Sequence, residues 1–551
     1  MQLHIPMFRG MNAVTSENKL APDMAVEAIN CQFRRGEFEP LRGCKPSEIT
    51  TPLNTNTQSI FIYHNHLLSW PEAVNPVASP IAQDPYDRVY WTGEDVPRYG
   101  TNAALVGSGK MPLASYKLGV PAPVSAVTVS VEYHDQSGEV PEGDDPGDYS
   151  DPYSGTNVSL DDDETRFYLI TFVSSSGEEG PGSPVSAAVE IRHPNDVVKV
   201  SMPGFSFSNR DINRVRLYRT VTGSSVTELF RVAEFVLSTP EFVDNVSFEA
   251  LGPAYETEEY LPPPDNMQGL VEADGGVFVG FAGNELIPSD PYLPYAYPKR
   301  NRQSIADEIM GLASISAGLI MVTKGKPRLV SGITPDSYSV QTLDINQACV
   351  SSRSLVDMGE WAIYASRDGL VGINGSTAQL ATSQIFTPEQ WRERFKPESI
   401  HAYRWEGKYV GFYAGLGGFV FDPDTADFSL LDIYADGGCY HQGVLFLVID
   451  DVLYEFDHDL AEVLSATWRS KSFVTPDIAF GVLRVLGENL AGTRVKVLAN
   501  GENLVELTLS AGDDVVSRLP PKRARQWQIE LAGTGRVKSL VLASSMAEAQ
   551  L

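Results

Sequence analysis

Apolar residues along this chain gather in short runs between turn-forming residues, and one such unit recurs. A glycine opens an apolar strand, a turn follows, and a second apolar strand comes after it. The unit starts at Gly276, Gly318, Gly359, Gly407 and Gly443, at intervals of 42, 41, 48 and 36 residues. Partner strands follow at 284–287, 327–330, 368–372, 418–421 and 452–456, and turns rich in Asp and Gly at 366–369 and 449–451 suit tight hairpins. A repeat of about 40 residues matches one four-stranded propeller blade, and stacked blades bury apolar faces that no single hairpin can bury. Runs at 60–63, 67–70 and 87–92 predict one further blade. The expected total is about six, with five or seven left open because outer strands are poorly marked.

The rhythm breaks between Gly119 and Pro264. Alternating strands at 166–173, 187–191, 197–200, 215–219 and 228–232, with frequent turn signals, predict a β-sandwich of fibronectin or immunoglobulin-like kind. Proline-rich stretches at 121–123 and 262–264 bracket it as a module projecting from the propeller. Past Trp468, strands at 494–498, 504–507, 527–531 and 540–542 predict a second, C-terminal β-sandwich. The expected layout is an extended N-terminal arm (1–55), a first blade (56–118), the inserted sandwich with its acidic loop (119–264), the remaining blades (265–466) and the C-terminal sandwich (467–551). Helical periodicity is confined to 388–395 and the short run 23–29.

Composition agrees with a mainly-β chain: 46 Gly and 37 Pro stand beside 23 Tyr and 24 Phe, the mixture that many strands and turns require. No apolar run is long enough for a membrane span, and the start shows no basic region followed by an apolar one, so neither a span nor a signal peptide is expected. Cys31, Cys44, Cys349 and Cys439 form no C-x-x-C pair and are expected to be free thiols in a reducing compartment. The balance of 71 acidic against 42 basic residues gives a net charge of -29. That is the wrong sign for adhesion to nucleic acid, which needs a basic footprint.

Candidate chemistry is sparse. No nucleophile elbow, Walker loop or H-E-x-x-H motif occurs, and the sialidase-type box is missing because Gly369 stands one place too early after Ser366 and Asp368. Asp422, Asp424 and Asp427 could hold a cation but read better as a hairpin turn. His64 and His66 are the sole close histidine pair and are expected on one side of a strand. The acidic clusters at 142–148 and 161–164 lack calcium-loop spacing and read as a solvated loop. No catalytic, cofactor-binding or metal residue is assigned, no cofactor is expected, and the chain is expected not to be an enzyme.

Several phrases nonetheless resemble a known group. They are Asn30 with Gly36 and the run 40–43, Arg88 to Gly93 with Pro97 and Arg98, and the run 118–123. Gly177 to Pro181 with Ser183 and Pro184, Ser289 to Pro294 with Tyr297 and Pro298, and Thr467 to Lys471 complete the set. Together they resemble the β-propeller tail nozzles of short-tailed bacteriophages. The resemblance implies a homo-hexameric virion protein below the portal and adaptor ring, retaining the genome and conducting double-stranded DNA during ejection without specific binding. Tail fibres or spikes would attach outside, and assembly would occur in the host cytoplasm. An acidic lumen would keep DNA from sticking; which residues line it is not given by the sequence. The rival readings are a glycan-binding or depolymerising tail protein on the same scaffold and a cellular β-propeller scaffold that binds peptides.

Overall fold

The computed structural model describes residues 1–132, 164–191, 196–221, 228–414 and 417–550. The acidic cluster at 142–148, and the 161–163 part of its neighbour, lie outside these residues. Six antiparallel four-stranded units are arranged as propeller blades, five of them separate sheets and one, blade 5, part of a ten-stranded sheet. Blade 1 spans 75–117, blade 2 spans 268–304, blade 3 spans 309–342, blade 4 spans 356–380 and blade 5 spans 401–431. Blade 6 takes three strands from 437–455 and its fourth, Lys45–Pro46, from the chain start. The recurrent glycines earn their places at inner turns: Glu406-Gly407 and Gln442-Gly443 are two-residue connections with positive φ at both positions, the geometry that twisted hairpins favour.

The segment 56–118 is not one blade. Ser59–Tyr63 and His66–Trp70 form a separate two-stranded hairpin, and the four strands of blade 1 begin only at Asn75. One face of the hairpin, with Ile60, Ile62 and Leu67, packs on Phe446, Val448 and Leu453 of blade 6. Its other face, with Leu68 and Trp70, packs on Val89 and Trp91 of blade 1. The ring therefore closes through seven radial units, six full blades and one hairpin. The sequence merges the last two because the first strand of blade 1, Asn75–Ala78, has no apolar run to mark it.

The N-terminal segment is sewn into three sheets. Gln2–Ile5 pairs with Arg536–Ala543, and Ala25–Ile29 pairs with Ala466–Ser470 on one side and meets the outer strand of blade 5 on the other. Lys45–Pro46 completes blade 6. The run 23–29, expected to favour helix, is thus a strand; seven residues are too few to sustain a helix when backbone partners stand on both flanks. Pro388–Phe395 is a helix, started by a capping box between Thr387 and Gln390 with proline in its first turn. Because Ala25–Ile29 bridges them, blade 5 and one sheet of the C-terminal sandwich are a single continuous ladder. One apolar core follows it, from Ile363 of blade 4 through Phe419 and Phe428 of blade 5 and Phe8 of the arm to Trp468 and Trp527.

Among the described residues the inserted module has two three-stranded sheets and a two-stranded one (Glu164–Arg166 with Val189–Ile191), closed on a core of its own that includes Tyr168, Ile170, Val198, Val200 and Leu217. Its entry and exit strips run abreast: Gly119 has φ +84, and a Cβ there would lie 2.6 Å from Pro262. Among the described residues no helix is long and apolar enough to cross a membrane.

Candidate functional site: the axial cavity

The inner strands of a propeller converge on its axis, and here they enclose a cavity of about 590 Å³. All seven units contribute: Gln58 to Phe61 from the hairpin, Val74 to Pro76, Gln268 and Gly269, Met310 to Leu312, Ser352 with Arg353 and Leu355, Tyr403, and Gly438 with Cys439. The lining is neutral except for Arg353. Its Nη2 donates to the carbonyl oxygens of Gln58 (2.9 Å) and Asp436 (3.0 Å), and its Nη1 donates to Oε1 of Gln58 (3.3 Å). The guanidinium thus ties the lead-in to blade 4 to both the hairpin and blade 6.

The groups round Arg353 are set by burial and by its charge. His401 Nε2 donates to the Ala435 carbonyl oxygen (2.8 Å), and burial, helped by the Arg353 charge, pushes the imidazole down to about 4, so it is neutral near neutral pH. Burial raises the Tyr403 phenol to about 12, against the pull of Arg353. The Asp436 carboxyl is held above its ordinary value, chiefly by burial and also by Asp450 and Asp451. Among the described residues, no carboxylate stands within ion-pair distance of Arg353, whereas the buried arginines Arg88 and Arg219 grip two and one respectively.

Residues singled out from the sequence fall elsewhere. Asp422 Oδ1 accepts the backbone N–H groups of Asp424 (3.0 Å) and Thr425 (3.3 Å), while Asp427 Oδ1 accepts from Gly10 N–H (2.8 Å) and Arg9 Nε (3.1 Å). The run is a hairpin turn that also anchors the arm. His64 has φ 51 and sits in the hairpin turn, beside Asp87 at 3.6 Å, so it does not share a strand face with His66 as expected; the turn itself separates them. Asp368 pairs with Arg392 (2.8 Å) and accepts from Gln347 (3.0 Å). The four cysteines are free, and Cys439 lines the cavity. Among the described residues no three His, Cys, Asp or Glu side chains are grouped to hold a metal. Sequence reasoning missed Arg353 altogether: it lies in a serine-rich lead-in, and nothing local says that its side chain reaches units 295 and 83 residues away.

A second charged cluster joins the insert to the propeller. Arg88, at the edge of blade 1, pairs with Asp84 (2.7 Å) and with Glu178 of the insert, and all three are buried. Burial raises Glu178 to about 7, opposed by Arg88 and assisted by the Asp84 charge. Burial pushes Asp84 up most strongly, but the bonds from Arg88, Ser79 and the Tyr86 N–H, with the Arg88 charge, together outweigh it and leave Asp84 lowered. Backbone contacts complete the joint: Lys117 N–H donates to Asn209 O (2.7 Å) and Arg210 Nη1 to Gly119 O (2.6 Å).

No protein-family model matches the chain, and neither does any curated protein. Solved structures give distant likenesses. BamB from Moraxella catarrhalis is 10% identical over 53% of this chain and 92% of its own, with a TM-score of 0.25. YCF48 from Cyanidioschyzon merolae is 9% identical over 51% and 97%, with a TM-score of 0.26. The Pan2 WD40 domain from Neurospora crassa is 9% identical over 48% and 84%, with a TM-score of 0.25. At these scores they say nothing of function. The propeller is read from its own sheets.

Proposed function

We propose that the protein is a non-enzymatic virion component, one subunit of the ring-shaped tail nozzle of a short-tailed bacteriophage. The observation that carries this reading is where the phrases of the resemblance fall. Thr467 to Lys471 holds most of the strand Ala466–Ser470 that welds arm to C-terminal sandwich; Arg88 and Glu178 make the joint of the insert; and Arg42, from the run 40–43, donates its backbone N–H to Asp457 (2.7 Å) beside blade 6. A likeness carried by joints is a likeness of assembly, which suits a load-bearing part rather than a catalyst.

On this reading six copies form a ring under the portal and adaptor, with fibres or spikes outside. DNA passes between the subunits, not along the propeller axis, because a cavity of about 590 Å³ crossed by Arg353 has the volume of a small-molecule site. The net charge of -29 favours passage without adhesion, since phosphates meet repulsion rather than counterion-releasing contacts. Negative-stain microscopy of the purified protein tests the reading: a sixfold ring with a central hole is expected. A particle that remains monomeric at micromolar concentration, alone and with a portal-adaptor assembly, overturns it.

A further inference from the structure

We propose that the axial cavity binds a small organic anion, a carboxylate or phosphate ester on a compact apolar body, with Arg353 meeting the charge. The volume, about 590 Å³, falls in the range of small-molecule sites. Such sites combine apolar walls with placed polar groups; both are present here, and the polar groups hold the larger share of the exposed lining. Ile60, Phe61, Phe281, Met310, Leu312 and Leu355 supply the walls, while the amides of Gln58, Asn75 and Gln268 and the hydroxyls of Ser59 and Ser352 supply neutral polar groups.

The charge pattern selects an anion. Arg88 is pinned by Asp84 and Glu178, and Arg219 by Asp244, as is needed when a guanidinium leaves water. Arg353 is half-buried with only neutral acceptors on it. Three of its five N–H donors are committed to Gln58 and Asp436 and a further one meets the Tyr403 phenol, so at most one is left for a ligand. Asp436 presents its carbonyl to Arg353, not its carboxylate. A carboxylate or phosphate entering the cavity would give Arg353 a counter-charge and a charge-assisted bond in place of a neutral partner. The neutral imidazole of His401, behind Arg353, adds no competing positive charge near neutral pH.

Titration calorimetry on the full chain tests this with three probes: benzoate, phenyl phosphate and uncharged benzyl alcohol. Saturable binding at one site per chain is expected for at least one of the anions, and which one binds tighter identifies the ligand head group. Benzyl alcohol should bind at least about tenfold more weakly, and Arg353→Gln should weaken the anion by a similar factor. Ala73→Trp, at an exposed position on the cavity lining, should block binding while melting like the parent. Silence from both anions, equal affinity for benzyl alcohol, or undiminished binding by Arg353→Gln overturns the proposal. Should Arg353→Gln fail to fold, Ala73→Trp decides: loss of anion binding upholds the site, and retained binding overturns it.

Discussion

The C-terminal sandwich and the inserted sandwich are both antiparallel modules on the same propeller, yet the propeller holds them by different means. The C-terminal module shares a backbone ladder with blade 5 through Ala25–Ile29, and one apolar core runs unbroken across the join. The insert keeps its core to itself and meets blade 1 through Arg88, Asp84 and Glu178 and a few carbonyl bonds. A shared core cannot be opened at one joint without exposing apolar surface throughout. An ionic joint can be opened alone, and its strength depends on protonation.

The sharpest break in this contrast comes from Trp468, which is fully buried, packs edge-to-face on Phe8 at 4.9 Å and donates to Arg9 O at 3.0 Å. Trp468→Ala should cost about 3–5 kcal/mol, read by chemical denaturation, and the arm, blade 5 and the C-terminal sandwich should weaken together. Arg88→Met should cost about 3 kcal/mol by stranding two buried carboxylates, but locally. Limited proteolysis should then cut the linkers near 121–126 and 257–264 while the remaining body stays folded. If Arg88→Met instead lowers the whole molecule's stability in one transition, the insert is not separately held.

Protonation sharpens the comparison further. Glu178 is raised from 4.5 to about 7 by burial, so within that window the folded chain keeps a proton that the unfolded chain has released, and stability falls as pH rises. His401 works with the opposite sign between 6.5 and about 4, where stability falls as pH drops. Comparing Glu178→Gln with the parent cancels His401, which both chains carry. The variant should gain on the parent by about 2 kcal/mol from pH about 5 to about 8, measured by denaturation at each pH. The smallest effect belongs to Lys117 and Asp265, paired at 2.7 Å with Asp265 64% exposed. Asp265→Asn should change stability by about 0.5 kcal/mol or less, in a thermal melt at physiological salt.

What was legible in the sequence follows the same division. Blades 2 to 6 announce themselves because an inner hairpin needs a turn glycine and buried strands need apolar runs. The hairpin at 59–70 merged with blade 1 because Asn75–Ala78, short and interrupted by Pro76, shows no strand pattern of its own and is held by pairing with Val89–Thr92. Ala25–Ile29 read as helix because its strand character comes wholly from partners hundreds of residues away. Arg353 was invisible for the same reason: its role is defined by Gln58 and Asp436, not by its neighbours in sequence. Arg88 and Glu178 were noticed as phrases, but that they face each other across a joint is a fact of three dimensions.

The pairing of Gln2–Ile5 with Arg536–Ala543 sets a timetable for synthesis. The first strand leaves the ribosome long before its partner exists. At about 5–20 residues per second, it waits roughly half a minute to two minutes for the last strand to be made. Until then the arm lacks one of its three sheet partners, and blade 6 and the C-terminal sandwich lean on the other two. A nascent chain thus cannot complete its joints early, and a prematurely released one carries open strand edges that mark it for chaperones or proteases.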